Sequence, residues 1–426
     1  MKSKRLKPRR IVVLGFLGII VLGTLLLSLP VSSSSGESIP VIDSLFTSTS
    51  AVCVTGLVSI DPGDNFSVFG QIVLGLLIQV GGLGISVIGV MIYLMAGGKF
   101  GIGKQRIVKE SLNLSSGKGL MYIIRSVAVI TVTFEFAGAA LSYIVFSADY
   151  SPLKAAGISV FHSLAAFNNA GFDILGGYRS LTEYDDNLLL CIITMILIVF
   201  GGLGFYVITE VLSGKNWSLN TKIVVVTTAV LIVAGALLLK LTDDITWLEA
   251  VFQSVTTRTA GFATVDIGTF TSAGLLIMML LMFIGASPGS TGGGVKTTTF
   301  FVLIKRLQSV ITNQPCGAFK RTIPEQVVTK AFCAIAMGVG VVLAGTFAMC
   351  ILENEYGFDQ LLFEVISAFS TAGLSTGITP DLCPAAKLIL SVIMFVGRLG
   401  PLTIATMWLS RDASSVRYVE EEVTIG

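Results

Sequence analysis

Val54-Thr55-Gly56-Leu57, Asn169-Ala170-Gly171-Phe172, Thr259-Ala260-Gly261-Phe262 and Thr371-Ala372-Gly373-Leu374 are four versions of one short pattern in a single chain. Each follows a short amphipathic segment and precedes a long apolar run, and self-similarity of this kind marks repeated supersecondary units. The segments also open alike. Phe46, Phe161 and Phe363 lie ten residues before their glycine and Phe252 nine before Gly261, so the third unit is one residue shorter. A segment of that length makes about three helical turns, too few to cross a bilayer but enough to enter and stop at mid-depth.

Composition sets the surroundings. Of 426 residues, 53% are hydrophobic and 13% charged, with a mean hydropathy of +0.86, which excludes an ordinary soluble globular protein. Runs of the roughly 20 apolar residues needed to cross a hydrocarbon core occur at 11–30, 68–96, 121–146, 187–212, 222–241, 271–304, 327–352 and 384–409. The expected fold class is an all-α membrane protein of four span, pore helix, span repeats around one pseudo-fourfold pore. That gives eight transmembrane helices and four re-entrant pore helices. The repeats divide at 1–110, 111–218, 219–322 with an intramembrane gating loop, and 323–426 with a C-terminal tail. The basic start and first apolar run resemble a secretory signal, but the run is too long for one.

Charge orients the chain. Six Lys and Arg fall within 1–10 and six within 99–125, followed by Lys215, Lys222, Lys305, Arg306, Lys320, Arg321, Lys330, Arg411 and Arg417. Basic connections mark the cytoplasmic face, so a multi-pass protein of the cell membrane with both termini cytoplasmic is expected. Asp61, Asp64, Asp173, Glu183, Asp185, Asp186, Asp243, Asp244, Asp266, Glu353, Glu355, Asp359 and Asp381 fall on the other side, where an acidic mouth would concentrate cations.

The pattern itself points to cation chemistry. Carbonyl oxygens that replace a cation's water must converge from several strands, and the required dihedrals favour glycine. All four tetrapeptides are therefore expected to form a potassium-binding filter whose selectivity rests on Gly56, Gly171, Gly261 and Gly373. No carboxylate lies within them, against a divalent-cation ring, so potassium at the filter is the only metal expected. The six cysteines have no paired ligand spacing and read as small buried hydrophobes. His162 beside Ser163 lacks the elbow and orienting acid of a hydrolase, so no enzyme is expected.

A second register reads Gly81-Gly82-Leu83-Gly84, Gly201-Gly202-Leu203-Gly204, Gly285-Ala286-Ser287-Pro288 and Gly397-Arg398-Leu399-Gly400, starting 25, 30, 24 and 24 residues after its glycine. Close helix packing explains the first two copies. The third run breaks into Gly285-Ala286-Ser287-Pro288-Gly289-Ser290-Thr291-Gly292-Gly293-Gly294, which cannot continue as a stable helix. An unwound gate beneath the filter is expected there. Residues 289–297 nearly spell a phosphate-binding loop, but Val295 intervenes before Lys296, and no nucleotide is expected on this chain. Arg398 stands midway along a span, where a charge costs on the order of 3 kcal/mol. It is expected to act in the gate as an electrostatic barrier, the alternative being a pairing with Glu135.

With these residues in view, the chain resembles the membrane subunits of the Ktr/Trk/HKT potassium transporter superfamily, in its KtrB branch, over nearly its whole length. The likeness rests on the four units with one glycine each, the 285–294 loop, Arg398, and the tail Arg417-Tyr418-Val419-Glu420-Glu421-Glu422-Val423-Thr424-Ile425-Gly426. Trk members carry extra N-terminal spans, whereas this chain starts with the first unit. The resemblance implies potassium uptake by a homodimer in the lipid bilayer with one pore per protomer. It also implies a cytoplasmic ring of KtrA-like nucleotide-binding regulatory subunits that controls the gate, and no nucleic-acid partner. Gly56, where sodium-permeable members have serine, points to potassium; sodium as a coupling or activating ion is left open. An alternating-access porter would need broken helices in two inverted halves, whereas one break in four parallel units is expected here.

Overall fold

The structure is a computed structural model that describes residues 8–84, 87, 88, 120–214 and 217–406. The basic connection at 99–119, Lys215 and the tail from Arg411 to Gly426 lie outside these residues.

Among the described residues, four helices are long and apolar enough to cross a membrane, one in each repeat: α1 (Pro8–Leu27), α4 (Leu120–Asp149), α8 (Leu219–Thr242) and α12 (Glu325–Leu352). After each comes a short helix: α2 (Val41–Cys53), α5 (Pro152–Phe167), α9 (Trp247–Thr256) and α13 (Phe358–Ser370). With 10 to 16 residues these reach only about 15 to 24 Å. Their starts are specified locally. Pro152 occupies the first turn of α5, Thr246 and Glu249 form a reciprocal cap on α9, and the Gln360 side chain accepts from the Gly357 N–H at 3.1 Å, each satisfying or removing donors that a helix start leaves orphaned.

The expected second spans are interrupted. Residues 68–84 form α3 (Val68–Leu83), which stops at Gly84. Residues 187–212 split into α6 (Leu188–Leu203) and α7 (Phe205–Leu212), bent by 105°. Residues 271–304 split into α10 (Ser272–Phe283) and α11 (Thr297–Thr312) around the glycine-rich loop, and α14 (Pro384–Leu399) stops at Gly400 before α15 (Pro401–Thr406). The expectation of a single break is thus corrected. Gly84, Gly204 and Gly400 have φ of 82°, 92° and 83°, a backbone that ends an α-helix and that glycine adopts without strain.

Packing closes the repeats into a cycle. Each second helix lies against the short helix of the next repeat: α3 on α5, α6 on α9, α10 on α13, and α14 back onto α2. Within a repeat, a glycine on the first helix admits a pore-side serine. A Cβ on Gly23, Gly138 or Gly235 would meet the Oγ of Ser48, Ser163 or Ser254 at 2.3 to 2.4 Å and a leucine methyl of Leu77, Leu197 or Leu281 at 2.7 Å. These hydroxyls donate to Ile20 O, Glu135 O and Ile232 O at 2.7 to 2.8 Å. Gly345 makes the fourth contact with Val365 and Ile393 instead. Close approach through small residues is how helices associate where no hydrophobic effect separates them. Phe46, Phe161, Phe252 and Phe363, each two residues before Ser48, Ser163, Ser254 or Val365, are all buried.

The seam between the fourth and first repeats joins elements far apart in sequence. It carries the ion pair Lys387–Asp43 at 2.9 Å, with side chains 10% and 17% exposed. Breaking a largely buried pair strands the remaining charge. Lys387→Met is expected to lower unfolding stability by about 3 kcal/mol, read by thermal melting in detergent. The double variant with Asp43→Asn should lose much less than the sum of the two single losses, and strict additivity would remove the pair from the seam.

Candidate functional site

The four short helices deliver the repeated tetrapeptides to one place. α2, α5, α9 and α13 end three to five residues before Gly56, Gly171, Gly261 and Gly373, so their C-terminal ends face the tetrapeptides. Each such end carries about half a negative elementary charge. Three of the turns close alike, with Thr55 N, Ala170 N and Ala372 N donating to the carbonyl five residues back (Ser50, Ala165, Ser367) at 2.8 to 2.9 Å. In the third, Ala260 N donates to Thr256 O, four back, at 2.9 Å. The residue missing from the third unit is absorbed at this turn, before the glycine.

The glycines form a closed ring. A Cβ on Gly56 would lie 2.5 Å from Ala170 O, on Gly171 2.7 Å from the Gly261 Cα, on Gly261 2.8 Å from Ala372 O, and on Gly373 2.0 Å from Thr55 O. Each repeat therefore abuts the next and the last abuts the first. Their φ values run from 66° to 96°, and the residues two positions earlier, Val54, Asn169, Thr259 and Thr371, are left-handed too, at 54° to 78°. Four side-chain-bearing residues in this strained region repeat one backbone shape fourfold. Thr55, Ala170, Ala260, Ala372, Leu57, Phe172, Phe262 and Leu374 are buried around it.

On one side of the ring lies an open cavity of about 610 Å³ lined by all four glycines and by one aspartate from each repeat, Asp61, Asp173, Asp266 and Asp381. Its walls are sewn across repeats. Tyr178 N donates to Asp61 at 2.6 Å, Gly177 N to Asp64 at 2.8 Å, and Ala263 N to Ser180 Oγ at 3.0 Å. Buried Glu364, on α13, accepts from Ser375 Oγ, Thr376 N and Thr379 Oγ1 at 2.7 to 2.9 Å and so holds the strand that follows Gly373. Sequence reading missed Glu364. Its signal was the polar residue after each register phenylalanine: Thr47, His162, Gln253 and Glu364.

On the other side lies the loop Gly285, Ala286, Ser287, Pro288, Gly289, Ser290, Thr291, Gly292, Gly293 and Gly294, its ends joined by a parallel bridge between Ile284 and Val295. It is no surface loop: Ala286, Ser287 and Thr291 are fully buried. Ser287 N and Thr291 Oγ1 donate to Gly202 O and Gly201 O at 3.0 and 3.1 Å, and Gly289 O accepts from Phe205 N at 3.1 Å. The loop thus occupies the break after α6. It touches the ring directly, since Gly293 N donates to Thr371 Oγ1 at 3.0 Å and a Cβ on Gly292 would sit 2.1 Å from Thr259 Oγ1.

Arg398 reaches this loop. Its guanidinium donates to Thr291 O and to Gly81 O and Gly82 O of the first repeat, which corrects the alternative pairing with Glu135. Glu135 instead accepts from Asn168 Nδ2 at 3.0 Å. Packing explains Gly81, Gly201 and Gly397, where a Cβ would meet Val52 O, Phe167 O or Phe369 O at 1.8 to 2.2 Å; in the third copy Gly285 meets Gly293 O of its own loop. Packing therefore extends to the fourth copy. A cavity of about 280 Å³ beside the loop is lined by Gly292, Lys296, Arg398 and Gly84 among others. His162 and Ser163 turn apart, Nε2 to Thr194 Oγ1 at 2.9 Å and Oγ to Glu135 O at 2.7 Å.

Short helices pointing tail-first at a ring of glycine backbone, within a frame of long apolar helices, define a membrane protein with one central axis through a single chain. The chain belongs to the TrkH family of cation transport proteins, whose model matches residues 10–223 and 216–416. It is 36% identical to the Ktr system potassium uptake protein B of Vibrio alginolyticus, covering 100% of this chain and 96% of the relative. It is 34% identical to the potassium/sodium uptake protein NtpJ of Enterococcus hirae, covering 99% and 98%. Its fold is similar to that of the potassium transporter TrkH from Vibrio parahaemolyticus, with a TM-score of 0.70 at 22% identity over 96% of this chain and 88% of that one. The family resemblance read from the residues is borne out.

Proposed function

We propose that this chain takes up potassium across the cell membrane through a channel-like pore along the ring axis. The observation that carries the reading is the cyclic contact of Gly56, Gly171, Gly261 and Gly373, which leaves backbone and no side chain between neighbouring repeats. The tetrapeptides 54–57, 169–172, 259–262 and 371–374 act as a filter in which main-chain oxygens replace a potassium ion's water. The four helix C-termini and the four vestibule aspartates favour a cation there. Eight spans, four of them broken, and four re-entrant helices account for the chain, in repeats of 1–110, 111–218, 219–322 and 323–426 with both termini cytoplasmic. Residues 285–294 and Arg398 form the gate.

The names of the relatives support potassium as cargo, and NtpJ's also mentions sodium. The family resemblance extends the reading to a homodimer controlled by a cytoplasmic ring of nucleotide-binding subunits. A two-fold porter is the weaker reading: helices are broken in every repeat, but the contacts close after four units.

Three outcomes test this. Vesicles holding the purified chain should pass potassium or rubidium down a gradient, and Gly261→Ser should lower the preference for potassium over sodium; equal preference in both proteins would remove the filter assignment. Arg398→Ala, which deletes both a charge and the tie to Thr291 O, should raise flux several-fold, about 1 kcal/mol off the barrier; unchanged flux in the folded variant counts against a gate. Burial pushes the Asp173 carboxyl up to about 6, with neighbouring Asp61 adding to the rise and the Leu175 N–H opposing it. The group is charged above that pH and neutral below, so flux should fall as the outer pH drops from about 7 to about 5. Asp173→Asn should flatten that part of the profile.

A further inference from the structure

Three consecutive carbonyls at the tip of the loop, Thr291, Gly292 and Gly293, are each held by a cationic side chain of the chain itself. Arg398 takes Thr291 O, and Lys296 Nζ donates to Gly292 O at 2.8 Å and to Gly293 O at 3.1 Å. Among the described residues neither cation has a carboxylate partner. The Lys296 contact is a chelate in which two oxygens converge on one compact monovalent charge. Ammonium and potassium are close in size, carry the same charge and are both bound by carbonyl oxygens. The chelate also sits next to the ring, because the same two glycines lie against the Thr259 and Thr371 hydroxyls.

We propose that the carbonyl oxygens of Gly292 and Gly293 form an inner monovalent-cation site that the Lys296 ammonium fills while the loop is in the position described. The inference rests on the pore reading above. A potassium ion leaving the ring exchanges with the ammonium at these oxygens. At the two oxygens one unit charge replaces another, and the displaced ammonium, still tethered to the chain, turns into the cavity of about 280 Å³ that Lys296 lines beside the loop. Displacing Lys296 removes the side-chain tie between residues 292–293 and the start of α11, which Lys296 immediately precedes, while the contacts of Thr297 with Ala286 and Ser287 remain. The loop therefore loosens when an ion arrives from the ring, and Lys296 reseats when the ion has gone. Arg398 acts separately, tying Thr291 O to Gly81 and Gly82 of the first repeat.

Two measurements on the full chain in lipid nanodiscs decide it. Bound rubidium per chain is counted in the wild type, Lys296→Met and Lys296→Arg. The methionine variant should bind one more rubidium than the wild type, and the arginine variant should not. Hydrogen exchange at the amides of 289–294 in the wild type should run about threefold faster in potassium chloride than in choline chloride of equal ionic strength. A potassium ion that merely stabilised the ring would slow it. An unchanged rubidium count in folded Lys296→Met, or exchange that is equal or slower in potassium, overturns the proposal. If Lys296→Met does not fold, the wild-type exchange decides alone. Wild-type protein that binds no rubidium overturns the pore reading and this one together, whereas normal wild-type binding with either negative result overturns this one only.

Discussion

Where the four repeats meet there is no room for a Cβ, and the rest of the molecule is arranged to satisfy that constraint. A methyl group at Gly373 would stand 2.0 Å from Thr55 O, and the other three glycines are crowded almost as closely. Backbones approach this closely only when the segments bearing them are held from outside. The short helices do this from behind, the second helices from the side, and the interrepeat hydrogen bonds of the vestibule from the outer end. The left-handed residues two positions before each glycine carry strain of about 1 to 3 kcal/mol apiece, which persists because the surrounding cage leaves no alternative.

The cage is built from one rule applied four times. A glycine on the first helix admits a serine from the short helix, and a leucine of the second helix caps the contact. The fourth repeat has Val365 in place of the serine and Ile393 in place of the leucine, and fills the same space with apolar volume alone. Only the seam between the last and first repeats has the Lys387–Asp43 pair. That seam lacks the direct chain connection that joins the other neighbours, and a long-range ion pair there offsets part of the extra closure entropy.

Departures from the rule coincide with the parts that a conducting pore would need to move. The third second-helix opens into a loop beneath the ring, and the fourth places Arg398 where the first two have glycine and the third Ala286. Gly81, Gly201 and Gly397 are consumed by packing against the carbonyls of the short helices, while Gly285 packs on Gly293 of its own loop. The loop is thereby released from the scaffold contact that fixes the other three copies. It is held instead by hydrogen bonds to Gly201, Gly202, Thr371, Lys296 and Arg398, contacts that can be exchanged one at a time.

The amino-acid sequence alone determined the membrane setting, the number of repeats, the glycine of each and the irregularity of the third, because apolar run length, spacing and backbone permissiveness are local properties. Even the one-residue deficit of the third unit was legible, although only the structure located it at the end of α9. The breaks at Gly84, Gly204 and Gly400 could have been read from the last glycine of the second register, but a lone glycine in an apolar run also serves packing, and local signals do not separate the two uses. The partners of Arg398, the grip of Glu364 on the vestibule and the chelation of Lys296 were decided by tertiary structure. Arg398 and Glu364 join residues that chain order does not pair, whereas Lys296 reaches back only three and four residues; in every case hydrogen-bond geometry exists only after the repeats have closed around their axis.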